Sequence, residues 1–367
     1  MTEQLLRYGR RGKRLRPFCR QAQVRPRGCS TLLQRVLTDF GAETAFGQIP
    51  ARVREHYGIE LSASSARAVT LRHAHQVGAL APAADPRAAI LITETDGSMI
   101  PIVENDPPLP VTPPVGVGLR DRRRQKKLFW KEVRLSAAQA LGRAQARYAA
   151  TLGSVLEAGL AWEQVAHRAG LSASSRVHGV GDGAPWIAEQ FALRFGGQGR
   201  YVVDFYHVSD YLAAAAPRCG GTAAVSWRQR QQQALRENRL AEVLAELAAH
   251  VESAAEVAAV GVDRSREGAS RTPVRDCERY LRERREQLDY AGALATGLPI
   301  GSGLIESGHR HVVQARLKKS GAWWKESHAR DMVGLRVLRA NGDWETYWRD
   351  FPHHLNNGPP LSITPRS

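Results

Sequence analysis

Three carboxylates in this sequence stand where phosphodiester chemistry would need them: Asp96 in "TETDGSMIPIV", Asp182 in "VGDGAPWI" and Glu306 in "GSGLIESGHRHVVQARLKK". Asp96 reads as the end of a first strand, Asp182 as the end of a later strand beside small residues, and Glu306 as part of a late helix. If those two strands are neighbours in a mixed sheet, their ends bring the aspartates together and the helix lays Glu306 across them. Hard cations such as Mg²⁺ (or Mn²⁺) prefer carboxylate and phosphate oxygens. Two of them about 3.5–4 Å apart can stabilise both the attacking and the leaving oxygen of a displacement. Glu306 is also the only acid among Arg310, Arg316, Lys318, Lys319 and two histidines. A surface pair with Arg310 at i,i+4 would contribute only about 0.2–0.5 kcal/mol. A metal ligand among cations that hold a polyanion is the functional alternative.

The charge of the chain favours that alternative. Its 52 Lys and Arg exceed 36 Asp and Glu, giving +16 and an isoelectric point near 10.3. Clustered cations release counterions when they meet a phosphate backbone, so nucleic acid is the expected partner. Residues 1–85 hold 14 Lys and Arg against 6 Asp and Glu, half of the net excess in under a quarter of the length. The arginines of "RYGRRGKRLRPF", which include Arg10, Arg11 and Arg14, lack the bulky apolar anchors at helical spacing that a membrane-surface helix needs. No run of about 18 apolar residues occurs, which predicts a cytoplasmic, nucleoid-associated protein without a membrane partner. Cys19, Cys29, Cys219 and Cys277 form no C-x-x-C pair and read as free thiols.

The elements that must position the acids follow from pattern. Residues 1–30 read as a flexible basic arm. Residues 31–85 read as a helix-turn-helix-like domain in which Gly58 closes one helix and Ser62 caps the next. Arg67, Arg72 and His73 on that second helix favour a DNA reader over an ordinary helical hairpin. "AAILITETDGSMIPIVEND" alternates around Asp96-Gly97, which predicts a hairpin; "KLFWKEVRLS" predicts a third strand. Residues 137–170 are Ala-rich and read as helix ending at Gly170. Strand, helix, strand and helix follow, with Pro185 suited to a first helical turn, and then an all-helical insertion at 217–295. This is a ribonuclease-H-like order: an α/β catalytic domain of mixed sheet and flanking helices at 86–216 and 296–350, with a tail at 351–367.

"TDGSMIPIV", "VGDGAPWI", "VVDFYHVSDYL" and "GSGLIESGHRHVVQARLKKSGAWW", followed by "NGDWETYW", resemble the DDE transposases of the ISKra insertion-sequence family, related to Mutator-type enzymes. The resemblance runs over roughly Ala88 to Trp348. It implies Asp96, Asp182 and Glu306 as the catalytic, Mg²⁺-binding triad, and Asp204 and His207 as an accessory Asp-x-x-His element. Asp204 competes with Asp182 for the second acid, and strand order favours Asp182, because Asp204 ends the next strand out. The plainer readings are that Asp182 caps the helix at Pro185 and that His207 is a helix-start histidine partnered by Asp204. The implied activity is cleavage at element ends followed by transfer of the 3′-hydroxyl strand to target DNA. The cations named above would bind terminal inverted repeats and target, in a homodimer or higher oligomer. The competing expectations are a metal-dependent structure-specific nuclease and a domesticated DNA-binding regulator without chemistry.

Overall fold

A computed structural model describes residues 6–8, 13–15, 29–79, 83–105, 126–259 and 272–355. The chain divides into two compact units, one of residues 83–98 and 132–309, the other of 1–82, 99–131 and 310–367. The protein is of mixed α/β class. Among the described residues no helix is long and apolar enough to cross a membrane.

A five-stranded mixed sheet has the order β5-β4-β3-β6-β7, built from β3 (Ile90–Asn105), β4 (Lys126–Ala140), β5 (Arg147–Thr151), β6 (Arg176–Gly181) and β7 (Gly199–Val203). β4 and β5 are antiparallel, whereas β3, β6 and β7 run parallel. Two sequence expectations fail here and compensate each other. The hairpin at Asp96-Gly97 does not exist, since β3 passes straight through it. Gly97 answers a close approach instead: a Cβ there would collide with the Glu132 carboxylate. The strand so lost is recovered in the stretch read as helix, where β4 continues to Ala140, β5 follows, and the helix α4 starts only at Val155 and ends at Arg168. The small side chains of Ala138 and Ala140 are buried in one core with Trp162, Phe191 and Phe195, so alanine serves close packing and overrides its helical propensity.

α5 (Pro185–Phe195) opens with Pro185 in its first turn as expected, and joins α4 in that core. After β7 every described element up to residue 295 is helical: α6 (Phe205–Gly220), α7 (Ala224–Arg236), α8 (Leu240–Ala248), α9 (Ala254–Ala259), α10 (Pro273–Glu283) and α11 (Tyr290–Ala295). These helices share a core around Phe205, Trp227, Tyr280 and Tyr290. α12 (Gly303–Gly308) carries Glu306 and passes into a π-helical turn at His309–Gln314. The helical run expected here is therefore present from Gly303 to Leu317, with a π-helical middle.

In the other unit, the arm contains a small antiparallel ribbon of β1 (Leu6–Tyr8) and β2 (Lys13–Leu15), rather than featureless chain. α1 (Thr31–Glu43), α2 (Ile49–Tyr57) and α3 (Ala63–Gln76) pack around Leu37, Ile49, Val53 and Ala66. Gly58 ends α2 in the left-handed conformation (φ 64°) and the Ser62 hydroxyl accepts from Ser65 N, both as read from sequence. After the three-residue helix α13 (Ala315–Leu317), α14 (Glu326–Ala340) and α15 (Trp344–Leu355) complete this unit. His73, counted from sequence with Arg67 and Arg72 in favour of a DNA reader, is wholly buried against Trp348 and Phe351. Its Nδ1 lies 2.7 Å from Tyr347 Oη and its Nε2 3.1 Å from Gln34 Oε1.

Burial, reinforced by neighbouring Arg72, pushes His73 down to about 3, so the folded protein holds it neutral. The unfolded chain takes up a proton below about 6.5 and the folded chain does not, so stability must fall as pH drops through that window, by roughly 3 kcal/mol at pH about 4. Urea unfolding across pH 4–7 should show this slope in the parent protein and a flatter one in His73→Asn. Parallel curves would contradict it.

Candidate functional site

The parallel register sets the acids side by side. It pairs Glu94 with Val180 and Gly181 with Val203. Continued past the strand ends, the same offsets bring Asp96 opposite Asp182, and Asp182 opposite Asp204. β7 lies one strand further from β3 than β6 does.

Asp96 is half-buried. Its Oδ1 accepts from Gly97 N (2.6 Å), and its Oδ2 lies 3.5 Å from His309 Nε2. Burial pushes Asp96 up to about 6, and the negative charges of Asp182, Glu132 and Glu306 push the same way, against the Gly97 N–H. Four chain segments distant in sequence thus place acids in one electrostatic neighbourhood.

Asp182 follows β6 directly, and its Oδ1 accepts from Ala184 N at 2.8 Å. The insertion holds this loop. Tyr280 Oη donates to Asp182 O at 2.6 Å, and Arg284 Nε donates to Gly183 O at 2.9 Å while its guanidinium lies over the Tyr280 ring. Gly183 has φ 79°, and a Cβ on it would come within 2.5 Å of Tyr280 Oη. Only glycine meets both demands without strain.

Asp204 is differently committed. It is 3% exposed and caps α6, accepting at Oδ1 from Tyr206 N (2.6 Å) and His207 N (3.2 Å). Its Oδ2 accepts from Ser302 N (2.8 Å) and from the Ser302 hydroxyl. The His207 ring packs against Tyr211 and Tyr280, and its backbone N–H is what Asp204 binds. Glu94, a residue that sequence reading missed, lies two positions before Asp96 and so on the same face of β3. It is 1% exposed, and Oε2 accepts from Ile305 N at 2.7 Å. Burial pushes Glu94 up to about 8, and the charges of Asp204 and Glu306 add to this. Glu94 and Asp204 therefore grip the backbone at 302–305, and α12 extends from that grip to Glu306. Alternation along "TETD" and the histidine in "ESGH" were the available signals for Glu94 and His309.

Among the described residues, Asp96, Asp182 and Glu306 have no Lys or Arg partner, in a chain carrying +16. The pair of Glu306 with Arg310 considered from sequence is absent. An all-oxygen donor set with uncompensated charge fits a hard divalent cation. As they stand, no three His, Cys, Asp or Glu among the described residues form a ready metal cage, so the fit rests on donor chemistry and charge. A cavity of about 640 Å³, lined by Arg176, Gly199 and Arg200, lies at the starts of β6 and β7 and includes none of these acids.

The expected nucleic-acid contacts divide. Arg310 and Lys318 are exposed and Lys319 is half-buried. Arg67 is exposed, with a nitrogen 3.1 Å from His328 Nδ1. Arg72 donates to Gln34. Arg316 must be removed from the set: it is 2% exposed, lies over both the Phe46 and Trp324 rings at 4.7 Å, and donates to Gly41 O. Arg10 and Arg11 lie outside the described residues, as does the side chain of Arg14 on β2.

Residues 161–350, which include Asp182, Asp204 and Glu306 but not Asp96, match an uncharacterised protein family, UPF0236. A comparison with curated proteins finds no match.

The contrast between Asp182 and Asp204 is measurable without any activity. Asp204→Ala removes a helix cap and strands buried donors of Ser302, which should cost about 2–4 kcal/mol in urea unfolding. Asp182→Asn retains the acceptor for Ala184 and relieves repulsion on Asp96, and should change stability by less than about 0.5 kcal/mol. The reverse ranking would contradict these roles.

Proposed function

The chain belongs to the uncharacterised family UPF0236, and we propose that it is a transposase that cuts DNA at the ends of an insertion element and joins the freed strand to target DNA. The observation that carries this reading is the convergence of Asp96, Asp182 and Glu306 without a basic partner in a strongly basic protein. The strand order, with Asp96 on β3 beside the acids that directly follow its parallel neighbours β6 and β7, supports a ribonuclease-H-like catalytic domain interrupted by a helical block.

In this reading Asp96, Asp182 and Glu306 would hold Mg²⁺ or Mn²⁺. Bound there, the cation would supply the Lewis acidity that activates water or a 3′-hydroxyl and stabilises the departing oxygen. Glu94 and Asp204 position the backbone that bears Glu306, and Tyr280 and Arg284 fix the loop that bears Asp182. His309, beside Asp96, can donate a hydrogen bond that orients its carboxylate. Arg310, Lys318 and Lys319 would bind phosphates, and the three-helix region with Arg67 and the basic arm would bind the terminal repeats.

Glu306→Gln keeps size and hydrogen-bonding capacity and removes one negative charge. Cleavage and strand transfer on the element's own ends in Mg²⁺ should both fall at least about 100-fold, beyond the usual loss for an outer-shell partner, while end binding persists. Arg310→Ala should weaken binding and steepen no catalytic defect at saturating DNA. Near-normal strand transfer by Glu306→Gln would overturn the proposal, and cleavage without joining by the parent protein would favour a nuclease.

A further inference from the structure

Two large aromatic side chains of the unit formed by residues 1–82, 99–131 and 310–367 are left in solvent and touch each other. Trp130 is 56% exposed and Trp323 42% exposed, with ring centroids 6.2 Å apart and planes tilted by 55°. Tryptophan normally buries its large apolar area, so two exposed rings in contact call for a ligand.

The local structure holds one of them outward. Trp324 is buried, its indole Nε1 donates to Leu317 O at 3.1 Å, and its ring meets Phe46 and Arg316. Its backbone is pinned to β3 in both directions, by Trp324 N to Pro101 O (3.2 Å) and Val103 N to Trp324 O (2.8 Å). The neighbouring Trp323 is thereby projected away from that core. Along β4 the two-residue period puts Lys126, Leu128 and Trp130 on one face, and Leu128 is itself 55% exposed. Lys126, Lys127, Lys318, Lys319 and Lys325, on the segments that carry the two rings, form no ion pair among the described residues.

Exposed π-faces beside unpaired cations are the complement of a polyanion whose bases are unstacked. We infer that Trp130 and Trp323 form a stacking platform for unpaired bases of a DNA strand, with the adjacent lysines on its phosphates. This rests on the proposed action on DNA, and adds to it a preference for melted or frayed substrate, since only bases free of their duplex partners offer faces to the rings. The platform is sequence-tolerant, because every base has such a face.

The test uses the full chain, with fluorescence anisotropy on a blunt duplex and on the same duplex carrying a short single-stranded thymidine tail. The parent protein should bind the tailed duplex about 5- to 150-fold more tightly, the range that stacking of one base supplies. Trp130→Ala with Trp323→Ala should abolish this preference and leave blunt-duplex affinity unchanged, while the two Phe substitutions retain most of it. If the double change lowers the melting temperature, each single Ala change carries the same test, with partial loss of the preference expected. No tail preference in the parent protein, or one retained by the Ala variant, would overturn the platform while leaving the action on DNA standing. Equal loss on both duplexes would also overturn it, as would a change of oligomeric state on sedimentation with tail binding intact, which would make the patch a contact between copies. Failure of the parent protein to bind either duplex would overturn the functional proposal as well.

Discussion

The site depends on two buried carboxylates that are spent on backbone. Glu94 on β3 and Asp204 at the end of β7 accept hydrogen bonds from the chain at 302–305, the lead-in to the helix bearing Glu306. Burying a carboxylate is costly unless it is well hydrogen-bonded, and an N–H group left behind in the core after its loss would be costly too. The segment is thus held between two strands of one sheet, and the placement of Glu306 relative to Asp96 and Asp182 follows from the sheet's register.

The helical block contributes in the same way from another side. Its Tyr280 and Arg284 bind carbonyls of the Asp182 loop, so this block is structurally a brace for that loop as well as a separate core. Burial first, and after it repulsion from Asp182, Glu132 and Glu306, raises Asp96. Concentrated like charge of this kind weakens a fold and is retained where chemistry uses it.

Local signals in the sequence are legible on their own. The left-handed Gly58, the Ser62 cap and Pro185 at a helix start depend on a few adjacent residues and were correct. Asp182 at a strand end and the helical run before Glu306 were also legible. What failed depended on distant partners. Asp96-Gly97 looks like a hairpin turn until Glu132 is seen to crowd Gly97, and the alanines after Ser136 look helical until Trp162 and Phe191 are seen to share their core. Arg316 reads as a phosphate ligand until Phe46 and Trp324 take it, and Glu94 was unremarked because its partner, Ile305, lies 211 residues away.

The central claim is that Asp182, and not Asp204, shares a metal site with Asp96 and Glu306. Anomalous diffraction from crystals of the protein soaked in Mn²⁺ tests it most directly. The account predicts a peak bound by Asp96, Asp182 and Glu306, with Asp204 still hydrogen-bonded to Ser302. A peak on Asp204 with Asp182 turned away, or an ordered site that excludes Asp96, would contradict it.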